Sequence, residues 1–75
     1  MKTSEFMEEL EEILDVEALS ESQDLRELEG FDSLAIMSIV ALIRTAAHVH
    51  IPGRSIKEAG TVGKLLDMIG REKFE

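Results

Sequence analysis

The run from Leu34 to Ile43 most narrows what this chain can fold into. Leu34, Ile36, Met37, Ile39, Val40, Leu42 and Ile43 fall on nearly every side of a helix. A helix apolar all round either sits at the centre of a bundle or shows apolar surface to a partner. A chain of 75 residues can cover only part of such a helix, so some exposure is expected. Asp32 precedes the run and suits an N-cap, which predicts a helix over about 33–47. The run is interrupted by Ser38 and is too short to span a bilayer, so no membrane association is expected.

The flanking segments also read as helical. Thr3 or Ser4 can cap a first helix over about 4–15, with Phe6, Met7, Leu10, Ile13 and Leu14 at helical spacing. Residues 16–31 read as a long connection, polar at Ser20–Asp24 and broken by Gly30. A connection of that length inside a small domain needs anchors. Val16, Leu19, Leu25, Leu28 and Phe31 are the candidates, with a helical turn at Leu25–Leu28. Ser55 and Glu58 have capping-box spacing for a short third helix at about 56–59, stopped by Gly60. Thr61 caps a fourth, about 62–73, with Val62, Leu65, Leu66 and Ile69 inward, Met68 beside them, and Arg71 and Lys73 suited to its C-terminal end. Gly63 and Gly70 weaken that helix, or mark close helix packing. No alternating run or hairpin dipeptide suggests a strand. The expectation is an all-α four-helix bundle, its third helix short, with a long loop between the first two, and residues 1–75 as one domain.

Charge limits the partners. The formal net charge is −8, and residues 1–32 hold 12 of the 16 acids but two of the eight bases. Nucleic acid is excluded as a partner on this balance, because binding it needs cations to displace counterions. Basic protein surfaces fit better. The acid-rich half is either a solvated face or a docking surface. There is no Cys, hence no disulfide or thiolate metal site, which is compatible with a reducing, cytoplasmic setting. The acidic, polar N-terminus lacks the pattern of a signal peptide.

Chemistry concentrates in Gly30-Phe31-Asp32-Ser33-Leu34. A breaker and an acid set one serine in the first turn of the most apolar helix, where a hydroxyl can accept a covalent group. A serine at a helix start is common for capping reasons alone. Ser33 has no His or Lys base at a motif spacing, and there is no phosphate-binding glycine loop, so an enzyme is not expected. His48 and His50 stand two apart without a third ligand nearby; surface histidines are the simpler reading and no metal site is expected.

With Leu25-x-x-Leu28, Gly30-Phe31-Asp32-Ser33-Leu34, the apolar run through Ile43, Val49-His50-Ile51-Pro52 and Thr61-Val62-Gly63-Lys64-Leu65-Leu66 in this order, the chain resembles the acyl carrier protein family, the phosphopantetheine carrier domains. The resemblance covers essentially all 75 residues. It implies 4′-phosphopantetheine attached to Ser33 by a separate phosphopantetheinyl transferase, with Asp32 supporting the site. It implies an acyl or aminoacyl cargo held as a thioester, and partners that load and process it. The chain looks like the discrete, stand-alone type, expected as a monomer. Leu34 is either an exposed partner contact or a core leucine; Met37 and Ala41 lie on the turns above it.

One departure stands out. Family members often carry acids along the second helix, whereas this chain has Ala35, Ser38, Arg44 and Thr45 there and no acid between Asp32 and Glu58. That suggests dedicated partners of a specialised pathway (polyketide, nonribosomal peptide, or lipid or saccharide modification) rather than general fatty-acid enzymes. The alternative is an unmodified helical interaction module with a carrier-like fold.

Overall fold

The computed structural model describes residues 1–74. Among them are four helices and no strand: α1 (Thr3–Leu14), α2 (Ser33–Ala47), the short α3 (Gly53–Ala59) and α4 (Val62–Ile69). α1 packs on α2, α2 on α3 and α3 on α4. The architecture is all-α and acyl-carrier-like, with the long connection between α1 and α2 that the sequence predicts.

Three helix ends differ from the sequence expectation. α1 starts at Thr3, so its cap residue is Lys2 and neither Thr3 nor Ser4. The Glu5 carboxylate reaches back to accept from the Lys2 amide at 2.9 Å, which makes an earlier start favourable. A lysine side chain has no acceptor, so the reciprocal half of a capping box is absent. α3 starts at Gly53, and the Ser55/Glu58 box does not form. Pro52, with φ −66°, is set for helix entry, and its carbonyl accepts from the amides of Ser55 at 3.0 Å and Ile56 at 3.3 Å. α4 stops at Ile69, because Gly70 adopts φ +103°. A single 3-10 turn, Arg71–Lys73, follows and returns Phe74 to the core. The Phe74 ring lies 5.1 Å from that of Phe6 and tilted by 54°, within the range of favourable aromatic pairs.

The core is apolar throughout, and no polar or charged side chain among the described residues is buried. Phe6, Leu10, Ile39, Ile43, Ile56 and Leu65 are fully enclosed. Leu25 joins them from the connection; burying a leucine of this kind contributes about 1.5–3 kcal/mol. Val16, Leu19, Leu28 and Phe31 are half-buried against the same cluster. These are the anchors a long connection needs.

Backbone bonds hold the connection as well. α1 ends with Asp15 left-handed, Val16 donating to the Glu11 carbonyl and Asp15 to that of Glu12. The Asp24 carboxylate caps the 3-10 turn Leu25–Glu27 through the Arg26 amide and also grips the Arg26 guanidinium. The start of α4 then runs against residues 21–25. Leu25 donates to Gly60 at 2.8 Å, Val62 to Gln23 at 3.0 Å and Gly63 to Glu21 at 2.8 Å. Gly63 thus marks loop-to-helix contact; a Cβ there would sit 3.2 Å from the Glu21 carbonyl oxygen. Arg71 is not a dipole partner within α4. It lies beyond Gly70, donates to both Glu21 oxygens and to Asp67, and ties the connection to the C-terminal turn.

Two outcomes follow from this packing. A Cβ on Gly30 would clash with the Leu14 carbonyl oxygen, a backbone atom that cannot step aside. Gly30→Ala is therefore expected to lower unfolding stability by roughly 1–3 kcal/mol, measured by urea denaturation; unchanged stability would show that the contact does not form. The Arg71 hydrogen bond, with its charge, holds the Glu21 carboxyl below its ordinary value of 4.5. A carboxyl depressed in the folded state adds stability above its unfolded value and loses it as pH falls through the folded value. Glu21→Gln should thus lower the melting temperature at neutral pH by a small amount, since the pair is exposed. The gap should close as pH is taken below 4.5. A gap that persists in acid would rule the ion pair out as its source.

Candidate functional site

α2 has two unlike sides. Ala35, Ile36, Ile39, Ile43 and Ala47 turn inward and are buried. Leu34, Met37, Ala41, Arg44, Thr45 and His48 turn outward and are exposed. Leu34 is 74% and Met37 69% exposed, which makes Leu34 a surface residue and not a core leucine. The three apolar positions rise from the first turn at spacings of three and four residues, so they share one side of the helix.

Ser33 opens that helix. Asp32 precedes it in extended backbone, φ −110° and ψ −177°, and its Oδ1 accepts from the Ala35 amide at 2.9 Å. The Asp32 carbonyl accepts from Ile36 at 2.9 Å, closing the first turn. The side-chain bond thereby satisfies one of the four orphan amides of the helix start, that of Ala35. The amides of Ser33 and Leu34 have no acceptor among the described residues, and the Ser33 hydroxyl, also exposed, has no hydrogen-bond partner there. Upstream, Gly30 lies against the Leu14 carbonyl and Phe31 donates to Leu28 at 3.1 Å. The serine therefore sits on a fixed start.

The two histidines occupy the other end. His48 caps α2 in a left-handed conformation, φ 58°, donating its amide to Arg44. The His50 Nδ1 atom is 2.9 Å from the Arg44 guanidinium. At 1.5 Å per residue, the length of α2 puts both imidazoles roughly 20 Å from Ser33, far beyond a proton transfer. They are no base for its hydroxyl. An exposed hydroxyl beside a carboxylate, with open amides and a helix dipole behind it, can hold a phosphoester: the positive helix end favours the added negative charge.

Comparison with known families matches residues 4–69 to the phosphopantetheine attachment site family, a span that includes all but the first residue of α1, the connection, α2, α3 and α4. The chain belongs to that family. Its prosthetic group is 4′-phosphopantetheine, held covalently, and phosphopantetheine carrier domains are non-catalytic. No curated protein and no solved structure matches the chain. The attachment chemistry of the family needs an accessible hydroxyl, and the geometry at Ser33 fits it. No helix among the described residues is long and apolar enough to cross a membrane.

Sequence reasoning selected Asp32, Ser33, Leu34, Met37 and Ala41, and folding brings all five to the outer side or the start of one helix. It did not assemble the flank that α3 adds. Gly53 packs so closely on α2 that a Cβ would lie 2.9 Å from Ile36 Cγ2, which sets exposed Arg54 beside the base of α2 and Lys57 one turn further on. The signal available was the acid-free stretch from Ser33 to Lys57.

The cap at Asp32 can be measured. Asp32→Ala should cost about 1 kcal/mol in urea denaturation, and Asp32→Asn, which still accepts, only a fraction of that. Equal losses in the two variants would mean that the charge, not the hydrogen bond, matters there.

Proposed function

We propose that Ser33 is the attachment point of 4′-phosphopantetheine and that the loaded chain carries an acyl or aminoacyl group, as a thioester, to the enzymes of a specialised biosynthetic pathway. The observation that carries this reading is the exposed, unbonded Ser33 hydroxyl at the capped start of α2, within the matched span. A separate phosphopantetheinyl transferase loads it from coenzyme A, holding Mg²⁺ at the phosphates. The serine oxygen forms a bond to the phosphorus that bears pantetheine, and the pyrophosphate bond at that phosphorus breaks. Adenosine 3′,5′-bisphosphate leaves, and the hydroxyl proton passes to a base of the transferase. Asp32 orders the helix start and helps to place the serine and the metal in that complex.

The bound group supplies a terminal thiol, which a chain without Cys otherwise lacks. This chain's residues hold the arm at a rigid helix start, so that one tethered cargo meets several enzymes at high effective concentration. Leu34, Met37 and Ala41 form the apolar contact that those enzymes meet beside the arm. The outward side of α2 carries no acid. That favours dedicated loading and processing enzymes of polyketide, nonribosomal peptide, or lipid or saccharide modification pathways over general fatty-acid enzymes. The carrier acts as a cytoplasmic monomer in this reading.

The test is to incubate the protein with coenzyme A, Mg²⁺ and a broad-specificity phosphopantetheinyl transferase and weigh it intact. One phosphopantetheine should be added to the wild type and none to Ser33→Ala. If several such transferases add nothing, an unmodified interaction module takes the place of the carrier.

A further inference from the structure

We infer that the partner enzymes of this carrier dock on the α2–α3 side through an apolar patch rimmed by acidic residues. The inference rests on the carrier reading and adds the chemistry of the partner.

Anything that reaches the Ser33 hydroxyl meets Leu34 and Met37 first, both largely exposed. Asp32 before the serine and Glu58 after Lys57 are exposed acids, but the stretch between them is basic. From Ser33 to Lys57 there are Arg44, Arg54 and Lys57 and no acid. All three cations are exposed. Arg54 and Lys57 have no ion-pair partner among the described residues, and the Arg44 guanidinium is bonded to His50 and to no carboxylate.

The arginines of the other elements are used differently. Arg26 is closed onto Asp24, and Arg71 onto Glu21 and Asp67. Each stabilises a turn and offers little charge outward. On α1, Glu5, Glu8, Glu9 and Glu12 are exposed. The exposed acids are thus concentrated on α1 and the connection, whereas α2 and α3 carry three cations free of carboxylate partners among the described residues.

This asymmetry selects an acidic rim. A partner with a basic docking surface would be drawn to α1 and the connection, away from Ser33, and would meet like charge at Arg44, Arg54 and Lys57. A partner with acids around an apolar patch is repelled by the acid-rich α1 and connection and attracted by the cations of α2 and α3. Charge complementarity of this kind sets the docked orientation and the association rate more than the final affinity. Because the chain is net −8, those acids must be local to the partner's docking surface.

A charge swap tests this. The probes are a phosphopantetheinyl transferase with a basic carrier-docking surface and a variant of the same enzyme with those bases changed to acids. Loading at Ser33 is followed by mass for the wild-type carrier and for the triple variant Arg44→Glu, Arg54→Glu, Lys57→Glu, with Lys73→Glu as a control away from the patch. The wild type and the control should show kcat/KM about tenfold higher with the acidic enzyme, and the triple variant should reverse that preference. Added salt should shrink both differences. Single replacements at Arg54 and Lys57 should each give part of the reversal, which keeps the test open if the triple variant folds poorly. Loading at Ser33 with the same preference for every carrier would overturn the acidic-rim inference and leave the carrier reading intact. Loading of no carrier by either enzyme would overturn both. A salt-sensitive dimer of the wild type in sedimentation, lost in the triple variant, would assign the face to the acidic side of a second copy instead.

Discussion

At Gly30 the connection lies directly on the backbone at the end of α1, with no room for a side chain. The position of α2 depends on this contact. It brings Phe31 against the core and Asp32 to the point where its carboxylate caps the helix. From there the inward residues of α2 meet α1, and α3 closes on Ile36. Leu25 and the Glu21–Arg71 bonds secure the rest of the connection from the opposite side. Loops of this length usually cost order; here one buried leucine and several backbone bonds offset that cost.

The same arrangement separates rigidity from chemistry. Every enclosed side chain is apolar, and the polar groups that matter are at the surface, where water solvates them before a partner arrives. The site is a helix start with an open hydroxyl, two open amides and a capping carboxylate. Such a place suits a phosphoester, and both imidazoles lie at the far end of the helix. This is what a member of a carrier family requires: a scaffold that stays still while a tethered group moves.

Much of this was legible in the residues. Helical periodicity gave the number of helices, Asp32 and Thr61 were read as caps and act as caps, and Gly60 ends α3 as a breaker should. The misplaced ends have local causes that composition hides. Glu5 reaches backward to Lys2, the Pro52 carbonyl serves two amides, and Gly70 takes a conformation that turns the chain out of α4. Tertiary contacts were harder still. Nothing in the sequence placed Phe74 on Phe6, Arg71 on Glu21, or α3 against the base of α2. The exposure of Leu34 could not be decided from a helix apolar on every side, because only the packed neighbours determine which side is outward.

The central claim is that Ser33 is presented by a helix start already formed before any group is attached. Residue-resolved amide exchange on the unloaded and loaded protein, with peptide mapping of the arm, tests it directly. The account predicts the arm on Ser33 alone and equal protection of the amides from Ala35 through Ala47 in both forms. An arm mapped to another hydroxyl, or an α2 protected only after loading, would contradict it.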